Sequence, residues 1–306
     1  LLIAAIGYAA YGQVFSFNQL LLAAMVSSLG FHTWMQVYYV LGLSLAEEGH
    51  EGRVLGKLSS IGSVGMLAAM FVTLLIVNRV GMRQMFLISG VLVSLAGVGL
   101  FLVPKNPRLV RQQGFVFKRR YGLYYLLNFL DGCRAEVFMT FGLFTLVDIY
   151  RVNVQTITTL LIGSSIVNWF AAPQLGAWID RAGERPVLTV AYSVSTLVFL
   201  SFAFVPNVSI LAFMYVIYGA SNLAMMARNT YLKKIADPAD VSPSLAMGVS
   251  MMHVAAVVVP ITGSILWRVF GYQMSFLFGA AFIIISTVVT QYLRVPALTT
   301  VHAAAK

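Results

Sequence analysis

Long apolar runs alternate with short polar stretches along nearly the whole chain. Runs bounded by charged residues, Pro or Asn/Gly clusters predict ten helices, the first of them short. We expect them at 1–15, 18–45, 55–78, 83–104, 121–147, 155–179, 187–205, 208–232, 244–267 and 271–293. A bilayer core needs about 20 apolar residues per helix and cannot solvate exposed backbone, so the polar stretches should lie at the membrane surfaces. The pattern predicts an all-α, polytopic membrane protein.

Composition agrees with a lipid-solvated chain. Hydrophobic residues make up 59% of the 306 positions and charged residues 10%, and the mean hydropathy is +0.86, whereas soluble domains carry about 25% charged residues. The net charge of +10 could suggest nucleic acid. The basic residues lie in short connectors, however, and not on one helix face. We therefore expect the lipid bilayer, and no nucleic acid, as partner.

The distribution of basic residues predicts the orientation. If successive connectors alternate sides, one side holds fifteen of the twenty Lys and Arg residues. The other side holds Arg79, Arg83, Arg151 and Arg268, and Arg134 is left inside a span. Since excess Lys and Arg marks the cytoplasmic face, the C-terminus should be cytoplasmic.

The longest connector divides the chain. Residues 105–120 contain six basic and no acidic residues, and they separate residues 1–104 from 121–306. We interpret the segment as a cytoplasmic linker between two helical bundles. Contact with anionic lipid headgroups, at about 1 kcal/mol per basic residue, would explain its charge. Binding of a partner protein is the alternative.

A weak internal repeat predicts what the first bundle contains. At a shift of 190 residues several features coincide: Ala46-Glu47 with Ala236-Asp237, Gly81 with Gly271, Phe86-Leu87 with Phe276-Leu277, and His32 with Asn222. Two parallel six-helix halves are one known transporter plan. On that plan the partner of the fifth helix would begin about seventy residues before Leu1. We expect 1–104 to be an incomplete bundle and 121–306 a six-helix bundle.

One charged turn carries a family resemblance. Its matching residues are Gly176, Asp180, Arg181, Gly183 and Arg185. The turn resembles the cytoplasmic loop signature of the major facilitator superfamily, G-x-x-x-D-R-x-G-x-R, which occurs there between helices two and three and again between eight and nine. The resemblance implies helices 3–12 of a twelve-helix plan in an N-terminally truncated chain, with the first signature copy falling before this sequence.

The resemblance also implies a contact for the aspartate. One departure from the family pattern, described last, weakens the interpretation as a drug antiporter. In the family this Asp is thought to hold the loop against the start of a helix in the opposite half, where unpaired N–H groups and the helix dipole favour a carboxylate. We therefore expect Asp180 near residues 56–60; a solvated loop is the alternative. The third helix offers only Gly62 and Gly65 in place of the Gly-Pro-Gly-Gly pattern of drug antiporters.

Three ionisable residues lie within the fifth predicted helix. Asp131, Arg134 and Glu136 should lie roughly 15–25 Å deep, where a charge costs at least about 2.5–3.5 kcal/mol unless it is paired or hydrated. Asn128, Asp131 and Arg134 share a face, and Glu136 points elsewhere. We expect one acid to take and release a proton, with Glu136 favoured and Asp131 ion-paired to Arg134. The alternative is a structural ion pair, with Glu136 closing a network to a neighbouring helix.

Other polar residues within the spans are candidates for the substrate cavity. They are His32, Gln36, Asn128, Asn168, Asn222 and His253. Each could instead bond a neighbouring helix. His32 with Asp131 would give only two ligands on different helices and Cys133 is the single cysteine, so we expect neither a metal site nor a cofactor. Arg228 could extend to the membrane surface or brace the Asp180 loop.

The combined prediction is a secondary active transporter. It would move a small solute by alternating access, driven by an ion gradient, with protons favoured because no G-x-x-x-x-G-K-[ST] motif is present. We expect no enzyme, since no H-E-x-x-H or G-x-S-x-G motif is present. A non-transporting membrane sensor or assembly factor with the same fold is the alternative. We expect a monomeric permease of the inner or plasma membrane.

Overall fold

The structure, a computed structural model, describes residues 1–102 and 117–294. Helices account for nearly all of this part of the chain, and no strand occurs in it. The α-helices are α1 (Leu2–Tyr11), α2 (Phe17–Leu45), α3 (Glu51–Gly99), α4 (Gly122–Asp148), α5 (Val154–Ala182), α6 (Glu184–Phe204), α7 (Val208–Asn222), α8 (Met225–Ile235), α9 (Pro238–Phe270) and α10 (Tyr272–Thr290). The predicted all-α class is confirmed.

Most of the helices have the length and composition of membrane spans. Within the described ranges, 8 segments are long and apolar enough to cross a bilayer, with α3 contributing two and α7–α8 together forming one. The two remaining predicted spans are α1, which has 10 residues, and α4, whose 27 residues include the charged group around Asp131. All ten predicted helices are therefore helical, and the chain has the architecture of an integral membrane protein.

Several helix boundaries differ from the predicted ones. Helix α3 begins at Glu51, four residues early, and α9 begins at Pro238, where Pro suits the first helical turn. The predicted helix 208–232 is interrupted between Asn222 and Met225. There the N–H of Leu223 donates to the carbonyl of Ala220 at 3.2 Å, a tighter i→i−3 bond.

Backbone geometry supports the repeat. Helix α2 ends at Leu45 and α8 ends at Ile235, which are 190 positions apart in the sequence. Gly81, inside α3, has φ 78° and ψ 163°, and Gly271, between α9 and α10, has φ 90° and ψ 164°. Both positions need glycine because other residues avoid this backbone region. Each reverses the chain between two helices without a longer loop.

The chain divides into two compact units. The first comprises Leu1–Ser44 and Gly65–Val110, and the second comprises Leu45–Val64 and Arg111–Lys306. The start of α3 thus packs with the C-terminal helices. This division rests on packing contacts between residues, which do not test bundle boundaries. The boundaries at 104 and 121 that the sequence suggests therefore stay predictions.

Small residues bring the helices of the first unit together. A Cβ atom added to Gly30 of α2 would lie 2.1 Å from the backbone nitrogen of Ala4 in α1. One added to Gly90 of α3 would lie 2.7 Å from Cβ of Ala9. Helices in lipid gain stability through such close van der Waals packing, because lipid tails already solvate large apolar side chains.

An aromatic cluster forms the centre of the second unit. Phe138 of α4 packs against Phe199 and Phe202 of α6, with ring centroids 5.6 and 5.3 Å apart, and against Tyr218 of α7. Phe276 of α10 closes the cluster against Phe202. Helix α4 is therefore surrounded by other helices, which is why its polar face is buried in protein.

Charged residues attach the start of α4 to the start of α9. Lys118 Nζ, Arg120 Nη2 and the hydroxyl of Tyr121 lie 2.6, 2.8 and 2.7 Å from one carboxylate oxygen of Asp240. Arg120 also pairs with Asp237, and hydrogen bonds to Asp237 and Asp240 raise the pKa of its guanidinium. The predicted headgroup contact of the linker falls largely in 103–116, outside the described residues.

Candidate functional site

A buried carboxylate in α4 lies between two arginines. Asp131 Oδ1 accepts a hydrogen bond from Arg134 Nε at 3.0 Å, and its Oδ2 lies 2.9 Å from Nη2 of Arg228 in α8. The side chains of Asp131 and Arg228 are 2% exposed and that of Arg134 is 3% exposed. The i, i+3 spacing within α4 brings the first pair together, and packing of α8 on α4 supplies the second arginine.

The other N–H groups of Arg134 donate hydrogen bonds to uncharged side chains. Its Nη1 donates to Ser195 Oγ of α6 at 3.3 Å, and its Nη2 donates to Asn222 Oδ1 of α7 at 2.9 Å. Ser195 shares a 3.0 Å hydrogen bond with Ser221. The guanidinium also lies 5.3 Å from the ring centroid of Tyr218. Arg134 thereby links α6 and α7 to α4.

Arg228 is less completely satisfied. Its Nη1 donates to the carbonyl of Leu127 at 3.3 Å and to Asn128 Oδ1 at 3.1 Å. Its buried Nε has no hydrogen-bond partner among the described residues. Arg228 was predicted to reach the membrane surface or the Asp180 loop, and both predictions are wrong. The side chain points into the bundle because α8 packs on α4, where Asp131 attracts it.

Glu136 faces a different environment from Asp131. Its side chain is half-buried, and it interacts electrostatically with His253 of α9. His253 is exposed at the surface of the second unit. The acid and the imidazole therefore form a second polar group on α4 and α9.

The structure brings only part of the expected cavity set together. Asn128 and Asn222 contact the Asp131 cluster through Arg228 and Arg134. Asn168 of α5 is half-buried beside α7, and its Oδ1 has no hydrogen-bond partner among the described residues. His32 of the first unit is half-buried, and the side chain of Gln36 lies outside the described residues.

One cavity in the second unit is apolar. It has a volume of about 180 Å³ and lies between α5, α6 and α7. Trp178, Val194 and Ile217 are among its lining residues, and Ser221 is the one hydroxyl there. Since no charged side chain lines it, the cluster around Asp131 is the better candidate for binding a charged group.

The carboxylate of Asp180 caps a helix N-terminus. Its two oxygens accept hydrogen bonds from the backbone N–H groups of Gly52 at 2.7 Å and Arg53 at 2.8 Å. The expected helix-start contact is present, but it is made at 52 and 53 instead of 56–60, because α3 begins at Glu51. The solvated-loop alternative is wrong.

Two glycines allow this approach. A Cβ on Gly176 would lie 2.1 Å from the carbonyl oxygen of Gly52, so the backbones of α5 and α3 touch there. Gly183 has φ 82° and joins α5 directly to α6. Arg181 is exposed, and Arg185 donates from Nε and Nη2 to Gln291 Oε1, both at 3.1 Å. The motif thus combines a close contact, a tight turn and surface charge.

The family comparison decides the identity. The model of the Major Facilitator Superfamily matches residues 124–305, more than half of the chain. The chain belongs to this superfamily.

Solved structures of superfamily members have the same fold. A "Major Facilitator Superfamily (MFS) transporter, FucP, in the outward conformation" is 12% identical, with a TM-score of 0.75, over 95% of this chain and 81% of that one. The "human organic anion transporter MFSD10 (TETRAN)" is 13% identical, with a TM-score of 0.77, over 94% of this chain and 74% of that one. At these identities the likeness concerns the fold. A search of curated protein sequences finds no significant match.

Sequence reasoning missed two ion pairs of this superfamily member. Glu51 at the start of α3 lies 3.2 Å from Lys233 Nζ. Glu184 is 2% exposed and accepts from Lys234 at 2.6 Å and from the hydroxyl of Thr230 at 2.9 Å. Two adjacent lysines at the end of a span were the available signal, but their acidic partners depend on the tertiary fold. Within the described residues no group of three potential metal ligands occurs.

Proposed function

We propose that the protein is a secondary active transporter that moves a small solute by alternating access. Membership of the superfamily supports membrane transport, and the buried ions of α4 support a coupled mechanism. Charges within a span are costly and are usually retained for a function. The observation that carries the proposal is the pair of polar groups on one helix, a fixed cluster at Asp131 and a separate acid at Glu136.

We propose that protons drive transport and that Glu136 carries them. Asp131 is held by two guanidinium groups, each within about 3 Å, so we assign it a fixed place in the cluster and not the role of the carrier. Glu136 is half-buried, and among the described residues its charged neighbour is His253. A carboxylate in such a place can bind a proton on one side of the membrane and release it on the other.

The Asp180 loop would control the cytoplasmic side. The capped start of α3 rests on the α5–α6 turn, supported by the Glu51–Lys233 pair. We propose that these bonds break and re-form as the transporter alternates. Because the backbones of α3 and α5 touch at Gly52 and Gly176, the two helices would be either in contact or apart. Gly176, Asp180, Arg181, Gly183 and Arg185 keep the roles that the family signature implies.

Polar residues within the spans are the proposed contacts of the solute. Asn128, Asn168, Asn222 and His253 are proposed for the second unit, and His32 and Gln36 for the first. We propose a monomer in the inner or plasma membrane with a cytoplasmic C-terminus, because the basic residues favour one side.

The proposal is tested in proteoliposomes that contain the full-length protein. Candidate solutes are added under an imposed pH gradient, and internal pH is followed with a trapped fluorescent dye. We expect one solute class to cause proton movement. Glu136→Gln should abolish proton movement while leaving solute exchange at equal pH measurable, because the amide binds solute but cannot titrate.

The control is Glu48→Gln, since Glu48 is an exposed carboxylate in the turn between α2 and α3. This variant should keep wild-type coupling. Unchanged coupling in Glu136→Gln would refute the role of Glu136. Absence of flux for every solute class would instead favour the sensor or assembly factor.

A further inference from the structure

The cluster around Asp131 contains one more positive than negative charge. Arg134 and Arg228 share the single carboxylate of Asp131, and all three side chains are at most 3% exposed. The other side chains that they bond, Ser195, Asn222 and Asn128, are neutral. A buried ion without a counter-charge is costly. The cluster is therefore balanced only when a further anion is present.

Glu136 is the nearest alternative source of negative charge on α4. The charged residue with which Glu136 interacts is His253 of α9, not either arginine. It lies about 140° around the helix from Asp131, given 100° per residue. Tyr218 places a ring face near Arg134, which stabilises a cation but adds no net charge. These neighbours leave the excess charge in place.

The cluster adjoins an interruption in a membrane span. Helix α7 ends at Asn222, which accepts from Arg134, and α8 begins at Met225, so Arg228 lies in the first turn of α8. The start of a helix carries a partial positive charge, which adds to that of the guanidinium groups. Interrupted spans are where transporters commonly bind anionic groups of their solutes. The buried Nε of Arg228, which has no hydrogen-bond partner among the described residues, supplies a donor for such a group.

We propose that the solute is a small monocarboxylate, whose carboxylate binds at Arg228 and Arg134 and balances the cluster; this rests on the proposed transport function. One excess charge matches a monoanion, and the planar guanidinium fork matches a carboxylate. A phosphate monoester, which carries nearly two charges, would reverse the sign of the cluster. Asp131 holds the two arginines in place between cycles of binding.

The test measures thermal unfolding of the full-length protein in detergent. The probes are lactate, pyruvate and benzoate, each compared with its neutral amide, and inorganic phosphate. At least one carboxylate should raise the unfolding midpoint by about 2–4 °C at concentrations well above its dissociation constant. The matching amide and phosphate should leave the midpoint unchanged.

The decisive variant is Arg228→Met, which should abolish the carboxylate response. It leaves Asp131 paired with Arg134, a neutral pair, so the variant should fold. Arg228→Lys keeps the charge without the fork and should respond only at higher carboxylate concentration, which gives a second measurement if the Met variant unfolds. Arg268→Met is the control, since Arg268 is exposed near the end of α9, and it should respond as wild type.

Several results would overturn the inference. They are equal stabilisation by acid and amide, stabilisation by phosphate alone, no response to any of the three carboxylates, or an unchanged response in Arg228→Met. Loss of the response in Glu136→Gln alone would assign the anion to that residue's surroundings and also overturn it. Carboxylate binding without pH-driven flux would leave the inference intact and refute the proposed coupling.

Discussion

At the scale of single residues, Asp131 supplies the negative charge that stabilises the buried Arg134 and Arg228. The carboxylate is the only negative group that touches either guanidinium among the described residues. Its removal would leave two positive charges together in a site from which water is excluded. A buried ion pair adds little net stability when intact, but breaking it by removing one partner is expensive.

We therefore predict that Asp131→Asn lowers the free energy of unfolding by about 3–5 kcal/mol. Heat- or denaturant-induced unfolding in detergent measures this loss. Asp148→Asn is the matched control on the same helix, because Asp148 is 44% exposed and lies 3.9 Å from Arg151. An exposed pair of this kind contributes about 0–1 kcal/mol. Similar losses in both variants would contradict the assigned role of Asp131.

The sequence allowed part of this cluster to be predicted. The i, i+3 spacing is local, so the Asp131–Arg134 pair and the shared face with Asn128 followed from helix geometry alone. Arg228 could not be placed in this way, because its pairing with Asp131 depends on how α8 packs against α4. The same reason applies to Glu184, whose partners lie about fifty positions away in the sequence. Local periodicity contains no information on such contacts.

At the scale of elements, the start of α3 is held against the α5–α6 turn, within the second unit, by a small number of directed bonds. Asp180 accepts from two backbone N–H groups that the helix itself leaves unpaired. The charged turn predicted that Asp180 contacts the start of this helix. It did not predict the residues contacted, since α3 begins four residues before the predicted start. Glu51 reads as part of a polar loop in the sequence but forms the first helical turn in the structure.

We predict that Asp180→Asn speeds hydrogen exchange at the amides of Gly52 and Arg53 by at least about tenfold, because a hydrogen bond to a charged acceptor contributes about 1.5–3 kcal/mol. Mass spectrometry of a peptide spanning 46–60 in the full-length protein measures this. Equal exchange in wild type and variant would show that the capping bonds do not protect these amides.

A glycine pair tests the steric part of the same contact. Gly176→Ala should also speed exchange in 46–60, because its Cβ would lie 2.1 Å from the carbonyl oxygen of Gly52. Gly62 lies in α3, as Gly52 does. Gly62→Ala should leave exchange unchanged, because no atom of the described residues lies within 4 Å of a Cβ there. If both alanine variants behaved alike, helix propensity and not the close approach would govern the contact.

At the scale of the whole molecule, the basic residues favour one side even after the structure is taken into account. Arg228 was one of the fifteen residues assigned to the cytoplasmic side, and the structure places it inside the second unit. Fourteen therefore remain against four on the other side. The excess therefore still favours the predicted orientation. This argument depends on composition and span order, which the sequence supplies without tertiary contacts.

We predict that a fluorescent protein fused to the C-terminus is fluorescent in bacterial cells, and that a periplasmic phosphatase fused at the same position is inactive. The same phosphatase inserted at 149–153 should be active, because that connection is on the predicted outer side. The reverse pattern of activities would invert the proposed orientation.

The single-residue reversals at Gly81 and Gly271 have a practical consequence. The connections on the predicted outer side are short, with 12–16, 149–153 and 205–207 as the longest, and two are a single glycine. An epitope tag or an antibody needs several accessible residues for insertion or binding, and the connections on this face provide few of them. Reagents meant to trap the protein in one state should be raised against the opposite face.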